Sequence, residues 1–225
     1  MTYAEFLKEI APFCEPSFAT FQRRLIETKQ EILGIRTPKM REIAKRRLSN
    51  FEELFSYPDE YFEVTFIKLT ALSLLDYKTL TDYIDRAVGL MDNWGICDCF
   101  RPKAIKKHRE EYLLKLEELF VHGGEFYERY VLVTLLAYYA EEKYIPIIES
   151  YLKRADTQKY YIHMAAAWLV AELLIKSYDD GVKILRSCIL DEKTHNKAIQ
   201  KARESFRISK ERKEFLNSLK IKKEK

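Results

Sequence analysis

Three stretches of the chain repeat one pattern at nearly one length. They read "YFEVTFIKLTALSLLDYKTLTDYIDRAVGLMD", "FYERYVLVTLLAYYAEEKYIPIIESYLKRAD" and "YYIHMAAAWLVAELLIKSYDDGVKILRSCILD". Each opens on an aromatic, runs through a long apolar helix, turns at "LDYKT", "AEEKY" or "KSYDD", and continues as an amphipathic helix. The unit is about 32 residues, the length of helical hairpins that cannot bury their apolar faces alone and must stack on their neighbours. "WGICDCFRPKAIKKHREEYLLKLEELFVHG" reads as a further helical pair between the first and second copies. An irregular helical bundle is the alternative.

Local signals agree with a helical chain. Gly and Pro number only six each, too few for a loop-rich or all-β protein. "TPKMREIAKRRL" places Thr37 as an N-cap and Pro38 at the first helical position, with Met40, Ile43, Ala44 and Leu48 on one stripe. Gly34 is expected to stop a preceding helix that begins near Ser17. No linker or low-complexity run divides the chain. The expected fold is all-α, a right-handed superhelical stack of HEAT-like helical repeats (an α-solenoid) with a concave, basic groove. Residues 1–225 are expected to form a single domain, with a basic tail fraying from about 217.

Charge is unevenly spread. Residues 193–225 hold twelve Lys or Arg and four Glu, a balance of +8, whereas the first 192 residues carry a balance of −4. A basic end suggests a polyanionic partner. No run approaches 18 apolar residues, so no membrane span is expected, and "MTYAEFLKEIAPF" lacks the apolar core of a signal peptide. Cys14, Cys97, Cys99 and Cys188 have no regular spacing, which suits reduced thiols and a cytoplasmic location. Cys97-x-Cys99 is not a zinc spacing and the four histidines are scattered, so no metal is expected. The two cysteines read as small apolar fillers. No glycine-rich phosphate loop is present, so no nucleotide cofactor is expected.

The stretch "MDNWGICDCFR" places Trp94 and Asp98 four residues apart, on one helical face. An indole wall beside a carboxylate suits a cationic ligand or a cationic transition state. The other reading makes Trp94 core and pairs Asp98 with Arg101 or a nearby lysine. Arg129 stands in the first turn of "YERYVLVTLLAYY", and Trp168 is the one large residue of "MAAAWLVAELL", where alanines leave room beside its ring. A surface arginine and a core tryptophan are the plainer readings. In a curved stack, equivalent helices line one face, so these residues can meet Trp94 and Asp98.

At this level the chain resembles the AlkD-type DNA alkylation repair proteins, the HEAT-like-repeat DNA glycosylases. The resemblance rests on "LGIRTPKMREIAK", "DNWGICD", "ERYVLVTLLAYY", "YYIHMAAAWLVAELL" and "THNKAIQKARESFRIS", in that order over nearly the whole chain. It implies that Trp94 and Asp98 are the catalytic pair, Trp168 the second aromatic of the cleft, and Arg129 the contact to the DNA backbone. It further implies hydrolytic excision of cationic N3- and N7-alkylated purines from duplex DNA without base flipping, by a nucleoid-associated protein of base excision repair. Lys197, Lys201, Arg203 and Arg207 are then expected to track phosphates from one helical side, with Arg36 and Lys39 as further contacts. The chain departs from the family pattern at Leu25, where better-known members carry a tyrosine, at Gly95, where they carry an acid, and at Ala171, where they carry an arginine.

Three functions follow for comparison: a monofunctional alkylpurine glycosylase acting as a monomer on alkylated or distorted duplex, a non-catalytic binder of distorted or branched DNA, and a protein-binding solenoid. The four residues Trp94, Asp98, Arg129 and Trp168 favour the first over the second, and the basic end favours either over the third.

Overall fold

The structure is a computed structural model and describes residues 1–222. Among the described residues it is all-helical, with fourteen α-helices, short 3-10 turns and no strand. In order they are α1 (Tyr3–Ile10), α2 (Pro16–Arg23), α3 (Thr37–Arg46), α4 (Phe51–Ser56), α5 (Phe62–Leu72), α6 (Tyr77–Gly89), α7 (Trp94–Cys97), α8 (Arg109–His122), α9 (Glu125–Tyr138), α10 (Ile145–Arg154), α11 (Tyr160–Lys176), α12 (Tyr178–Arg186), α13 (Glu192–Glu204) and α14 (Lys210–Ser218). No helix among the described residues is long and apolar enough to cross a membrane.

The three sequence repeats are the pairs α5–α6, α9–α10 and α11–α12, and each turns where its polar break predicts. Their first helices are inner ones. In α5, ten of eleven residues are buried, Glu63, Thr65 and Lys68 among them, so the helix is enclosed nearly all round. Each Val, Leu, Ile or Phe so buried contributes about 1.5–3 kcal/mol over its exposed state. The stretch 94–123 differs from the expected pair of full helices. Its first half is the four-residue α7 followed, beyond Pro102, by a 3-10 turn over Lys103–Lys107. Pro102 has no N–H to continue the ladder and biases the residue before it away from helical angles.

The chain divides into two compact units, Met1–Lys115 and Leu116–Lys225. In the first, α5 packs against α3, α4, α6 and α7. Glu63 is fully buried on α5 and accepts the backbone N–H groups of Leu33 (2.9 Å), Gly34 (2.7 Å) and Ile35 (3.3 Å). These charge-assisted bonds satisfy a carboxylate that would otherwise be costly to bury. Gly34 does not stop a helix, because α2 ends eleven residues earlier, at Arg23. Instead it lies at φ +86° against the start of α2, where a Cβ would fall 2.3 Å from the Glu15 carbonyl oxygen. Thr37 is the first residue of α3 rather than its cap; Arg36 holds the cap position without a side-chain bond.

In the second unit, α11 is the hub, packed against α9, α12 and α13. His163 on α11 is buried and lies 2.9 Å from the Thr194 hydroxyl, which donates to Asp191 Oδ2 at 2.6 Å. Thr194 has one proton and gives it to Asp191, so His163 Nδ1 carries the hydrogen of the other bond. The segment after α14 is tied back to α13. His195 meets the Leu219 carbonyl at 2.9 Å, and Asn196 bonds both backbone groups of Ile221, at 2.9 and 3.0 Å. Of the tail expected to fray from about 217, the part to Lys222 is described in this way and residues 223–225 lie outside the described residues.

Candidate active site

The Trp94–Asp98 pair is built by a small polar latch. Asp92 Oδ2 accepts from the Thr28 hydroxyl (2.7 Å) and the Lys29 N–H (2.8 Å), while its Oδ1 accepts from Asn93 Nδ2 (2.7 Å). That bond orients the fully buried Asn93 amide so that its oxygen caps α7, accepting the Ile96 N–H at 3.0 Å. A helix of four residues would hardly persist without such a cap. It is long enough for one turn: the Asp98 N–H donates to the Trp94 carbonyl at 2.9 Å, which fixes the two residues one above the other. Asp98 closes the helix as its C-cap and is half-buried.

The indole is then pinned. Its Nε1–H donates to the Leu25 carbonyl at 3.1 Å, and the side chain stays 39% exposed. A tryptophan with its one donor satisfied and its ring in solvent offers an aromatic surface to a ligand. Leu25 is itself 51% exposed, so it serves the indole through its backbone rather than its side chain. Gly95 is closely packed: a Cβ there would lie 3.0 Å from Ile26 Cδ1 and 3.1 Å from Asn93 Oδ1. An acidic side chain at this position would displace Ile26 or the cap, which gives the departure from the family pattern a steric reason.

Two arginines lie near this turn. Although the residue is exposed, desolvation of its sulfur pushes the Cys99 thiol pKa up and Asp98 adds to the rise, against the pull of Arg41 and Arg101. The thiol therefore stays protonated at neutral pH and is a poor nucleophile. Cys97 is buried, as a filler should be, whereas Cys99 is exposed. Among the described residues no group of three or more His, Cys, Asp or Glu side chains could hold a metal ion.

In the second unit, Trp168 is half-buried and borders a cleft of about 230 Å³ with Ala171, Glu172, Lys201, Ser205 and Arg207. Ala165, Ala166 and Ala167 do not supply the space beside the ring, for all three are fully buried inside the packed unit. Arg129 is 5% exposed; its Nη1 donates to the Tyr161 carbonyl at 2.7 Å and its guanidinium lies 5.6 Å from the Tyr161 ring. It thereby ties α9 to the first turn of α11, the helix that carries Trp168.

The remaining cations take varied positions. Lys197, Lys201 and Arg203 lie on α13, but Arg207 lies beyond its end and turns back to Glu172 on α11, bonding both carboxylate oxygens at 3.3 and 2.9 Å. Lys197 bonds Gln200 at 3.0 Å and, with Lys193, Asn196 and Lys220, lines a second cleft of about 640 Å³. Arg203 is half-buried, with its Nε buried and unbonded. Arg36 grips Glu15 through two nitrogens and lies 3.9 Å over the Phe18 ring. Lys39 pairs with Glu42 at 2.7 Å over the Phe13 ring. The sequence reading missed the Asp92–Asn93 latch, although "DN" before an apolar turn is a cap signal. It also missed the Leu25 carbonyl, which leaves no signal in the sequence.

Residues 6–203 match the family model described as DNA alkylation repair enzyme. The search of curated proteins finds no match.

Proposed function

Because the chain belongs to the DNA alkylation repair enzyme family, we propose that it is an alkylpurine DNA glycosylase whose reaction centre is the Trp94–Asp98 turn. The observation that carries this reading is the pinned indole, one helical turn from a half-buried carboxylate.

A purine alkylated at N3 or N7 is cationic and leaves readily. The C1′–N bond breaks with its electron pair moving to the purine, which neutralises the base and leaves positive charge on the deoxyribose. The Asp98 carboxylate stabilises that charge and orients the water that adds to C1′, taking up its proton, as the second carboxylate of a glycosidase does. The Trp94 ring attracts the same charge, more strongly as it develops. Trp168 and Arg129 are proposed as the second unit's contribution, an aromatic contact to the sugar and a contact to phosphate. Lys197, Lys201, Arg203 and Arg207 supply the salt-dependent attraction to duplex. Arg36 and Lys39, each held by an internal acid, contribute less.

Base release from duplex carrying 7-methylguanine and 3-methyladenine tests the reading. Wild type should release base, and Asp98→Asn should lose about 10²–10³-fold in rate. Equal release by the variant would remove Asp98 from the reaction. A second reading, a binder of distorted DNA without catalysis, is favoured by Gly95, whose packing against Ile26 and Asn93 leaves no room for the acid that the family pattern carries there. Salt-sensitive binding with no base release would establish it instead.

A further inference from the structure

The turn between α13 and α14 holds a phenylalanine in water while every residue around it is tied down. Ser205 closes α13 with its N–H on the Ala202 carbonyl at 3.1 Å, and its hydroxyl accepts the Arg207 N–H at 3.2 Å. The Arg207 guanidinium is locked onto Glu172, which also pairs with Lys176 at 3.4 Å. Ile208 is buried in the unit, and Ser209 caps α14. Between these anchors, Phe206 is fully exposed. Single exposed apolar residues are common and usually sit where they can fold back on the surface. Here the residues on both sides are bonded or buried, so the backbone that presents the ring to solvent is held.

The surroundings say what would meet it. Residues 193–213 carry eight Lys or Arg against two Glu. Ser205 and Arg207, on either side of the ring, both border the Trp168 cleft, together with Lys201 and the acids Glu172 and Glu204, so the excess of positive charge belongs to the segment as a whole. A rigid aromatic in a cationic field suits an anionic polymer that offers flat apolar faces, which is nucleic acid; a protein partner would present no such regular negative charge. Aromatic side chains stack on unpaired bases, and apolar wedges part base steps that stack poorly.

We propose that Phe206 is a stacking wedge that enters the duplex where a base step is already weakened, and that the Ser205–Ile208 turn thereby gives the protein its preference for distorted DNA. The proposal rests on the DNA-repair reading and adds a residue to it. Phe206 touches no reacting atom; its part is to select and hold the distorted step.

The probe is a duplex with 2-aminopurine beside a tetrahydrofuran abasic analogue, set against the same duplex fully paired. Wild type should bind both with an affinity that falls with salt, prefer the abasic duplex, and raise 2-aminopurine fluorescence as the base unstacks. Phe206→Ala, whose side chain packs on nothing, should melt as wild type and bind the paired duplex with an unchanged salt slope. It should lose the fluorescence rise and about tenfold of the preference, and Phe206→Trp should restore both. Retained fluorescence in Phe206→Ala, no rise with wild type, or equal weakening on both duplexes would each overturn the wedge while leaving DNA binding intact. Failure of wild type to bind either duplex would overturn the DNA reading and the wedge with it.

Discussion

The two units hold their candidate residues by different physics. In Met1–Lys115, Trp94 and Asp98 stand on a four-residue helix kept in place by a chain of hydrogen bonds from Thr28 through Asp92 and Asn93, with the indole tied to a carbonyl. In Leu116–Lys225, Trp168 stands in the middle of a seventeen-residue helix whose neighbouring alanines are buried. Hydrogen-bonded placement depends on a few atoms, and one substitution at Asp92 or Asn93 removes the side-chain links among them. Placement by packing is spread over many small contacts and yields only to a change of volume. The catalytic carboxylate of the proposed reaction lies on the side with fewer supports, as expected where a short, polar turn must be presented to a ligand.

The severest break in the first unit is Gly34→Ala. Its φ of +86° disfavours any side chain, and the new Cβ would meet the Glu15 carbonyl oxygen, just before α2, at 2.3 Å and the Ala19 nitrogen of α2 at 2.6 Å. We expect a loss of at least about 3 kcal/mol in urea unfolding. Hydrogen exchange sharpens the comparison: amides of residues 1–115 should lose protection while those of the second unit keep theirs. Equal loss in both would mean that the two units unfold as one, and the contrast drawn above would have no energetic counterpart.

The reverse experiment targets packing. Ala166 is fully buried in α11, so Ala166→Phe should cost about 1–3 kcal/mol by overpacking. Leu25→Ala is its counterpart at the first site and should stay within about 0.5 kcal/mol of wild type, because only the Leu25 backbone is used there. In a Trp168→Phe background, fluorescence reports Trp94 alone, and its emission maximum should be unmoved by Leu25→Ala. A shift would show that the leucine side chain, rather than its carbonyl, sets the indole.

What the sequence made legible divides along the same line. Helices α5, α9 and α11 and their partners were readable because apolar periodicity and polar breaks record packing directly. The four-residue step from Trp94 to Asp98 was readable because one helical turn has one spacing. Gly34 was misread as a helix stop because glycine marks a positive φ without saying which element crowds it. The apolar residues after Asn93 predict a full helix, but the Asn93 cap and Pro102 bound the region so that α7 keeps only four residues. The spacing of the basic residues after 193 predicts one helical side, but α13 ends at Glu204, and Arg207 finds a carboxylate on another helix. Partners that are backbone atoms or distant side chains leave no local pattern to read.

Removing the latch tests whether the first unit's hydrogen bonds serve position more than stability. Asn93→Ala deletes the α7 cap and strands Asp92 Oδ1. We expect about 1 kcal/mol in thermal unfolding, but a drop of more than tenfold in base release with duplex affinity little changed. Asn93→Ser, which keeps a capping oxygen, should recover most of the stability. Proportional losses in stability and rate would mean that the latch merely holds the fold.

The smallest effect lies in the second unit and depends on pH. Burial holds the His163 pKa below its ordinary value, with Lys193, Lys197 and Lys201 adding to the depression and Asp191 opposing it. In the unfolded chain the imidazole takes its proton near pH 6.5, and in the folded protein it does so only at lower pH. Between these values the unfolded state binds more protons, so stability rises with pH there. The contribution of neutral His163 is therefore complete above about pH 6.5 and is lost as pH falls toward the lowered folded value. His163→Gln can still meet Thr194 but does not titrate, so its stability should fall less steeply than that of wild type between neutral and mildly acid pH. The measurement is the difference of the two urea midpoints against pH, with amide exchange in α11 and α13 to place it. Parallel curves would show that the α11–α13 contact tolerates a protonated imidazole.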